Sequence, residues 1–81
     1  MTARVTFYTK AGCCLCEEAR REIDAARRQV PFDLEVIDIE SDERLRQQYQ
    51  YDIPVVAING ERAFRYHAPA AEIVARLRRL P

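Results

Sequence analysis

The sequence has 81 residues, of which 48% are hydrophobic and 32% are charged, a composition typical of one small globular domain rather than a disordered chain. Thirteen basic and thirteen acidic residues give zero net charge, which argues against a chain built mainly to bind nucleic acid or an anionic membrane. No apolar run approaches the ~20 residues of a membrane span, and the N-terminal stretch has no apolar signal core. We therefore expect a single, unprocessed, cytoplasmic domain over residues 1–81, without a nucleic-acid or membrane partner.

Hydrophobic periodicity predicts strand, helix and strand in the first half of the chain. Residues 4–9 are β-branched and aromatic, which favours a strand. A helix is expected from about residue 14 to residue 29, and Pro31 ends it. Its apolar stripe has the helical spacing of three and four residues: Leu15, Ala19, Ile23, Ala26 and Val30. The second strand, Phe32 to Ile39, carries apolar residues on both sides, which predicts that both of its faces are covered.

A short helix and a hairpin are predicted next. Ser41 or Asp42 can cap a helix that runs through Tyr49. A third strand over residues 53–58 opens at a proline. The following Asn59-Gly60 pair is a strong two-residue hairpin signal, so the third strand should return directly into an antiparallel neighbour.

The returning strand is expected over residues 62–66, and Pro69 is placed at the first position of a final helix. The apolar stripe of that helix is Ile73, Val74, Leu77 and Leu80. A strand–helix–strand unit implies a parallel pair with a right-handed crossover, whereas the hairpin implies an antiparallel pair. The sequence therefore predicts an α/β fold with the order βαβαββα, in which three helices surround a mixed four-stranded sheet.

Cys13 and Cys16 form a C-x-x-C motif at the junction of the first strand and the first helix. The free N–H groups and the positive dipole end at a helix start both favour a thiolate at Cys13. Cys16 lies one turn further, within reach of the first sulfur. The spacing thus indicates a nucleophile that forms a mixed disulfide and a second thiol that resolves it.

A metal or iron–sulfur carrier is the alternative function, because thiolates at this spacing also bind metals. A lone C-x-x-C supplies too few ligands for a closed site, so this alternative needs Cys14 beside Cys13 and Cys16, a second chain or an outside thiol. We favour redox chemistry with no bound metal, and we assign Cys14 no set role.

A second constellation is Ile53-Pro54 at the start of the third strand. If this strand lies beside the first strand, Pro54 comes close to the cysteines. A cis bond at this position would expose the carbonyl and the N–H of Ile53 to an extended substrate segment. Tyr49 and Tyr51 are expected to pack around the Pro54 turn rather than bind a ligand, with Tyr51 at the rim of the groove as the alternative, and His67 is expected at the surface.

Four segments of the chain resemble the glutaredoxins of the thioredoxin superfamily, in particular the short bacterial glutaredoxin-like proteins. They are Tyr8-Thr9-Lys10, Cys13 to Cys16, Ile53-Pro54-Val55-Val56 and Ala57-Ile58-Asn59-Gly60. The order of these segments and their spacing match the family, and the similarity extends over nearly the whole chain. The chain differs from glutaredoxins in two places: Cys14-Leu15 stands for the usual Pro-Tyr, and Tyr66 to Ala70 lacks the Gly-Gly and acidic residue that hold the glutamyl end of glutathione.

The resemblance implies a thioredoxin fold and a thiol–disulfide oxidoreductase that reduces protein or glutathione mixed disulfides. It implies that Cys13 is the nucleophile and Cys16 the resolving thiol. Substrate binding would involve Lys10, Ile53 and a cis Pro54, with Lys10 meeting the glycine carboxylate of glutathione. No bound cofactor is expected, glutathione being a candidate co-substrate. The expected partners of this monomer are a disulfide-containing substrate and, as reductant, glutathione or a flavoprotein reductase.

Overall fold

The order of strands and helices matches the order predicted from the sequence. The computed structural model describes residues 2–81 of the chain. The elements of the first half are β1 (Arg4–Thr9), α1 (Cys14–Gln29), β2 (Asp33–Asp38) and a one-turn 3-10 helix (Ile39–Ser41). Those of the second half are α2 (Glu43–Tyr49), β3 (Val55–Ile58), β4 (Glu61–Arg65) and α3 (Ala70–Arg78). No helix within residues 2–81 is long and apolar enough to cross a membrane.

The four strands form one mixed sheet in the order β2-β1-β3-β4. Strand β1 is parallel to β2 and antiparallel to β3, with Phe7 opposite Val36 on one side and Val56 on the other. Positive φ angles of 51° at Asn59 and 87° at Gly60 form the tight β3–β4 turn, as this pair of residues predicts. Because β1 and β3 are antiparallel, the last residues of β1 and the first residues of β3 lie at the same end of the sheet.

Strand β2 is an edge strand, and the prediction that both of its faces are covered is wrong. No residue of β2 is buried, and Val36 is 45% exposed. Its apolar residues pack on β1 and α1 only partly, because no strand lies on its outer side. The acidic residues Asp33, Glu35 and Asp38 alternate with the apolar residues along this edge, and such charges oppose edge-to-edge pairing with another sheet.

Helices α1 and α3 pack on one face of the sheet and enclose the larger part of the core. Its fully buried members include Val5, Phe7, Ile23, Val56 and Ile73. The buried stripe of α1 consists of Cys16, Ala19, Ile23 and Ala26, whereas Leu15, which we expected in the stripe, is 37% exposed. Neighbouring residues of a helix point about 100° apart, so the burial of Cys16 turns Leu15 outward.

The opposite face of the sheet is covered by α2. Ile39, Tyr49 and Val55 are buried there, and the ring of Tyr49 stacks on that of Tyr8 with 4.4 Å between the centroids. Asp42 begins α2, because its side chain accepts a hydrogen bond from the Arg44 N–H at 2.8 Å. The short helix therefore has the cap that the sequence predicted, and it covers the second face of β1 and β3.

Candidate active site

Cys13 is the N-cap residue of α1. Its backbone is extended (φ −91°, ψ 114°), and its Sγ accepts a hydrogen bond from the Cys16 N–H at 3.2 Å. Gly12, with φ 79°, provides the turn that leads from β1 into this position. The half-buried sulfur thus lies where the free N–H groups and the positive end of the helix dipole favour negative charge.

Cys16 lies one turn into α1 and is buried, with 3% of its surface exposed. Burial raises the pKa of the Cys16 thiol, and a hydrogen bond with the Cys13 side chain raises it further. Hydrogen bonds with the Thr9 side chain and the Lys10 backbone act in the opposite direction on this pKa. The structure therefore brings the two sulfurs together but gives them different surroundings, with Cys16 behind Cys13 and held in the neutral form.

Cys14 differs from both of its neighbours. It is the first residue of α1, and its side chain is exposed. All three cysteines are free thiols. In the part of the chain that the structure describes, no group of three or more His, Cys, Asp or Glu side chains is placed to hold a metal ion. The three cysteines of one chain therefore do not converge into a ready metal site.

A groove of about 200 Å³ lies beside Cys13 and Cys16 at the β2 side of α1. The exposed residue Lys10 lines it, as do Arg20 and Val36. Glu17 also lines the groove, and Arg20 pairs with Asp24 at 3.3 Å, so charges of both signs lie next to the sulfurs. Arg20 was not among the predicted site residues, although its position four residues after Cys16 on the same helix is a signal for proximity. Val36 could be found only through its pairing with Phe7 in the sheet.

The Ile53-Pro54 peptide bond is cis. It lies just before β3, at the same end of the sheet as the cysteines. Pro54 is fully buried, and its carbonyl accepts a hydrogen bond from the Tyr66 N–H at 2.8 Å. The Ile53 N–H, which we expected to be exposed, donates to the Tyr49 carbonyl at 3.2 Å. Substrate binding by Ile53 and Pro54 stays a prediction, and for Ile53 it would involve the carbonyl rather than the N–H.

Two tyrosines form an exposed rim beside the Pro54 loop. The hydroxyl of Tyr66 donates to the Tyr51 carbonyl at 3.0 Å, and Tyr66 has a positive φ of 66°. Tyr51 is 82% exposed, so the expectation that it packs around the Pro54 turn is wrong, whereas Tyr49 is buried there. No local pattern indicates Tyr66, because its position depends on a hydrogen bond with the distant Pro54.

The chain matches one protein family over nearly its whole length, and it resembles two solved structures of similar size. Residues 4–78 match the family described as the glutaredoxin-like domain (DUF836). A protein from Nitrosomonas europaea, solved by NMR in solution, is 28% identical, with 95% of this chain and 93% of that chain covered and a TM-score of 0.80. An X-ray structure of a protein from X. campestris is 25% identical, with coverages of 95% and 99% and a TM-score of 0.79.

The fold extends to more distant proteins. Thioredoxin 1 from the thermophilic eubacterium Thermosipho africanus is 18% identical, with 94% of this chain and 91% of that chain covered and a TM-score of 0.68. At this identity the similarity shows the thioredoxin fold alone. The family match over residues 4–78 shows that the chain belongs to the glutaredoxin-like domain family.

Proposed function

We propose that the protein is a thiol–disulfide oxidoreductase that uses the Cys13–Cys16 dithiol to reduce protein or glutathione mixed disulfides. The observation that carries this proposal is the cap of α1: Cys13 Sγ accepts the Cys16 N–H at 3.2 Å, with the Cys16 thiol buried behind it. An accessible sulfur at a helix start and a protected second sulfur are what a two-step exchange requires.

In the first step, the Cys13 thiolate attacks one sulfur of the substrate disulfide. The substrate S–S bond breaks, a bond forms between Cys13 Sγ and the attacked sulfur, and the other half leaves as a thiolate that takes up a proton. The N-terminal end of α1 stabilises the attacking charge. Lys10 lines the same groove, and its ammonium is the candidate cation for the leaving thiolate.

In the second step, Cys16 gives up its proton and attacks Cys13 Sγ. The mixed disulfide breaks, the second half of the substrate leaves as a thiol, and the Cys13–Cys16 bond remains. The protein has then lost two electrons and the Cys16 proton, and the second proton taken up by the substrate comes from solvent, because Cys13 began as a thiolate. Because burial raises the pKa of Cys16, this thiol stays protonated while Cys13 meets the incoming disulfide, which supports the assignment of their order.

An external reductant must then return two electrons to the Cys13–Cys16 bond. Glutathione and a flavoprotein reductase are both compatible with this chemistry. For a protein substrate, the Ile53 carbonyl is the candidate contact, since Ile53 packs in the same cluster as Cys13 and Cys16, and for glutathione Lys10 is the candidate partner of a carboxylate.

The test is turnover of a protein disulfide with dithiothreitol as the electron donor. We expect the Cys13→Ser variant to fall to the rate measured without protein. The matched control is Cys14→Ser, which removes the neighbouring exposed thiol and should retain turnover. Full turnover by Cys13→Ser would overturn the mechanism. A metal carrier would instead show stoichiometric metal or visible absorbance after anaerobic purification, without turnover.

A further inference from the structure

The last residue of β1 faces the buried thiol of α1. Side chains alternate between the two faces of a strand, and Phe7 of β1 lies in the same buried cluster as Cys16. Thr9 is two residues further along β1, so its side chain is on the same face of the sheet, which α1 covers. Thr9 lines the groove beside Cys13 and Cys16, and of the residues that line this groove it is the one with a hydroxyl group.

The Thr9 hydroxyl is one of two hydrogen-bond donors at the Cys16 sulfur. Burial raises the pKa of Cys16 most, whereas hydrogen bonds with the Thr9 side chain and the Lys10 backbone lower it. The residues of β1, β3 and α3 in the cluster around Cys16 are apolar. The titratable side chains that line the groove with Cys16 are Lys10, Cys13, Glu17 and Arg20. Stabilisation of a Cys16 thiolate therefore depends mainly on the two donors.

Cys13 opposes these donors while it is not bonded to a substrate. A hydrogen bond with the Cys13 side chain and the charge of Cys13 both add to the effect of burial and raise the pKa of Cys16. The first exchange step turns Cys13 Sγ into a disulfide sulfur, which carries no charge and is a weak hydrogen-bond acceptor. Both contributions of Cys13 are then lost, while those of Thr9 and Lys10 remain. The pKa of Cys16 should therefore fall at the point in the reaction where its thiolate is needed.

From this geometry we propose that Thr9 is a positioning residue for the second exchange step: its hydroxyl, together with the Lys10 N–H, stabilises the Cys16 thiolate once Cys13 is in the mixed disulfide. The inference rests on the proposed oxidoreductase function. Cys16 loses its proton to solvent, its thiolate attacks Cys13 Sγ, and the bond between Cys13 and the substrate breaks. The released half of the substrate leaves as a thiolate with the electron pair of that bond and takes up a proton from solvent, whereas Thr9 keeps its own proton.

The test separates the two steps with the aromatic disulfide dithiobis(nitrobenzoate), each half of which becomes coloured when it leaves as a thiolate. Every protein in the comparison carries Cys14→Ser, so that this exposed thiol does not react with the reagent. With the reagent in excess, stopped-flow absorbance records one release when Cys13 attacks and a second when Cys16 resolves the mixed disulfide. The rate of the second release does not depend on reagent concentration, which identifies it. Because this leaving thiolate needs no proton, the pH dependence of the second release follows the ionisation of Cys16.

Thr9→Val replaces the hydroxyl with a methyl group of similar size. We expect the first release to be nearly unchanged and the second to slow about tenfold at neutral pH, the lower part of the range for a hydrogen bond to a charged group. The apparent pKa of the second release should rise, and the rates of Thr9→Val and of the parent protein should converge at alkaline pH, where Cys16 ionises without the hydroxyl. Thr9→Ser keeps a hydroxyl and should restore most of the rate.

The matched control is Thr6→Val, which makes the same change on the opposite face of β1, between the clustered residues Val5 and Phe7. Thermal unfolding of each variant verifies that it is folded. A displaced Cys16 would slow the second release at every pH. An unchanged apparent pKa in Thr9→Val, or an equal rise in Thr6→Val, would therefore overturn the inference. If the parent protein releases a single coloured thiolate per chain, Cys16 does not resolve the mixed disulfide, and it is the proposed function that fails.

Discussion

Helices α1 and α3 begin on the same side of the sheet, but they begin in different ways. At α1, the sulfur of Cys13 accepts the Cys16 N–H, one of the free N–H groups of the first turn, and this acceptor is also the group that we propose to react. At α3, Pro69 is the N-cap and not, as predicted, the first helical residue, and the Ala70 N–H donates to the carboxylate of Glu22, a group that cannot exchange disulfides. One helix dipole thus faces the sulfur that we propose to react, whereas the other faces an internal charge.

The difference teaches that position at a helix start is not by itself a sign of function. Both ends satisfy orphan N–H groups, as the start of any buried helix must. What separates them is the chemistry of the acceptor and what lies behind it: a second, buried thiol at α1 and the neighbouring carboxylate Glu18 at α3. The predictions below change one of these features at a time.

Removal of the buried thiol should have the largest effect on the α1 site. Cys16→Ser leaves Cys13 able to attack but removes the group that resolves the mixed disulfide. We expect this variant to accumulate the Cys13 mixed disulfide to nearly one equivalent, as seen by mass spectrometry of the intact protein. Cys14→Ser should accumulate no more of it than the wild type. If the mixed disulfide of Cys16→Ser still resolves, another group performs the second step.

Packing rather than the Glu22 bond should hold α3 in place. Ile73 is fully buried in the first turn of α3, so Ile73→Ala should lower the free energy of unfolding by about 2–5 kcal/mol. Its neighbour Glu72 is exposed, and Glu72→Ala should change the free energy by at most about 0.5 kcal/mol. Urea unfolding measures both. Similar losses in the two variants would contradict the assignment of Ile73 to the core.

The Glu22 cap should contribute less than the core contact. Glu22→Ala removes the acceptor of the Ala70 N–H, and losses of helix caps typically cost about 0.5–2 kcal/mol. Glu18 lines a cavity together with Glu22, and Glu18→Ala on the same face of α1 is the control. We expect the control to be nearly neutral in urea unfolding. A loss for Glu18→Ala as large as that for Glu22→Ala would show that the hydrogen bond is not the cause.

The raised pKa of Cys16 predicts a small effect of alkaline pH on stability. Its ordinary pKa is 9.0, and burial raises it in the folded protein. Below pH 9.0, folded and unfolded chains both keep the proton. Above that pH the unfolded chain loses it first, so stability falls as pH rises toward the folded-state pKa. Urea midpoints of the wild type should therefore decline more steeply in this range than those of Cys16→Ala, and parallel declines would contradict the prediction.

Much of the fold could be predicted because its signals are local. The strand over residues 4–9, the helix from Cys14 and the Asn59-Gly60 turn each depend on neighbouring residues, and together they fixed the junction that carries Cys13. Such local patterns do not determine which face of a helix is buried or which strands lie beside a given strand. The sequence alone placed Leu15 in the buried stripe, although Cys16 occupies it, and it did not show that β2 is an edge strand.

Parts of the site that depend on distant contacts could not be predicted. Three hydrogen bonds follow from the turn and packing geometry. They join Ala70 to Glu22, Tyr66 to the Pro54 carbonyl, and Ile53 to the Tyr49 carbonyl. Residue types alone do not specify these bonds. The proposed roles of Cys13 and Cys16 depend on local features: their spacing and their position at the start of α1. For this part of the site, the sequence and the structure therefore support the same proposal.

The most direct test of this account is competition between Cys13 and Cys14 for an alkylating agent. The fully reduced protein is treated near neutral pH with less than one equivalent of iodoacetamide, and peptide mass spectrometry locates the label. Exposure alone would favour Cys14, the most accessible of the three thiols. Because the Cys13 sulfur accepts the Cys16 N–H at the positive end of the α1 dipole, we predict that the label is mainly on Cys13. A label mainly on Cys14 would contradict the central claim that α1 activates Cys13.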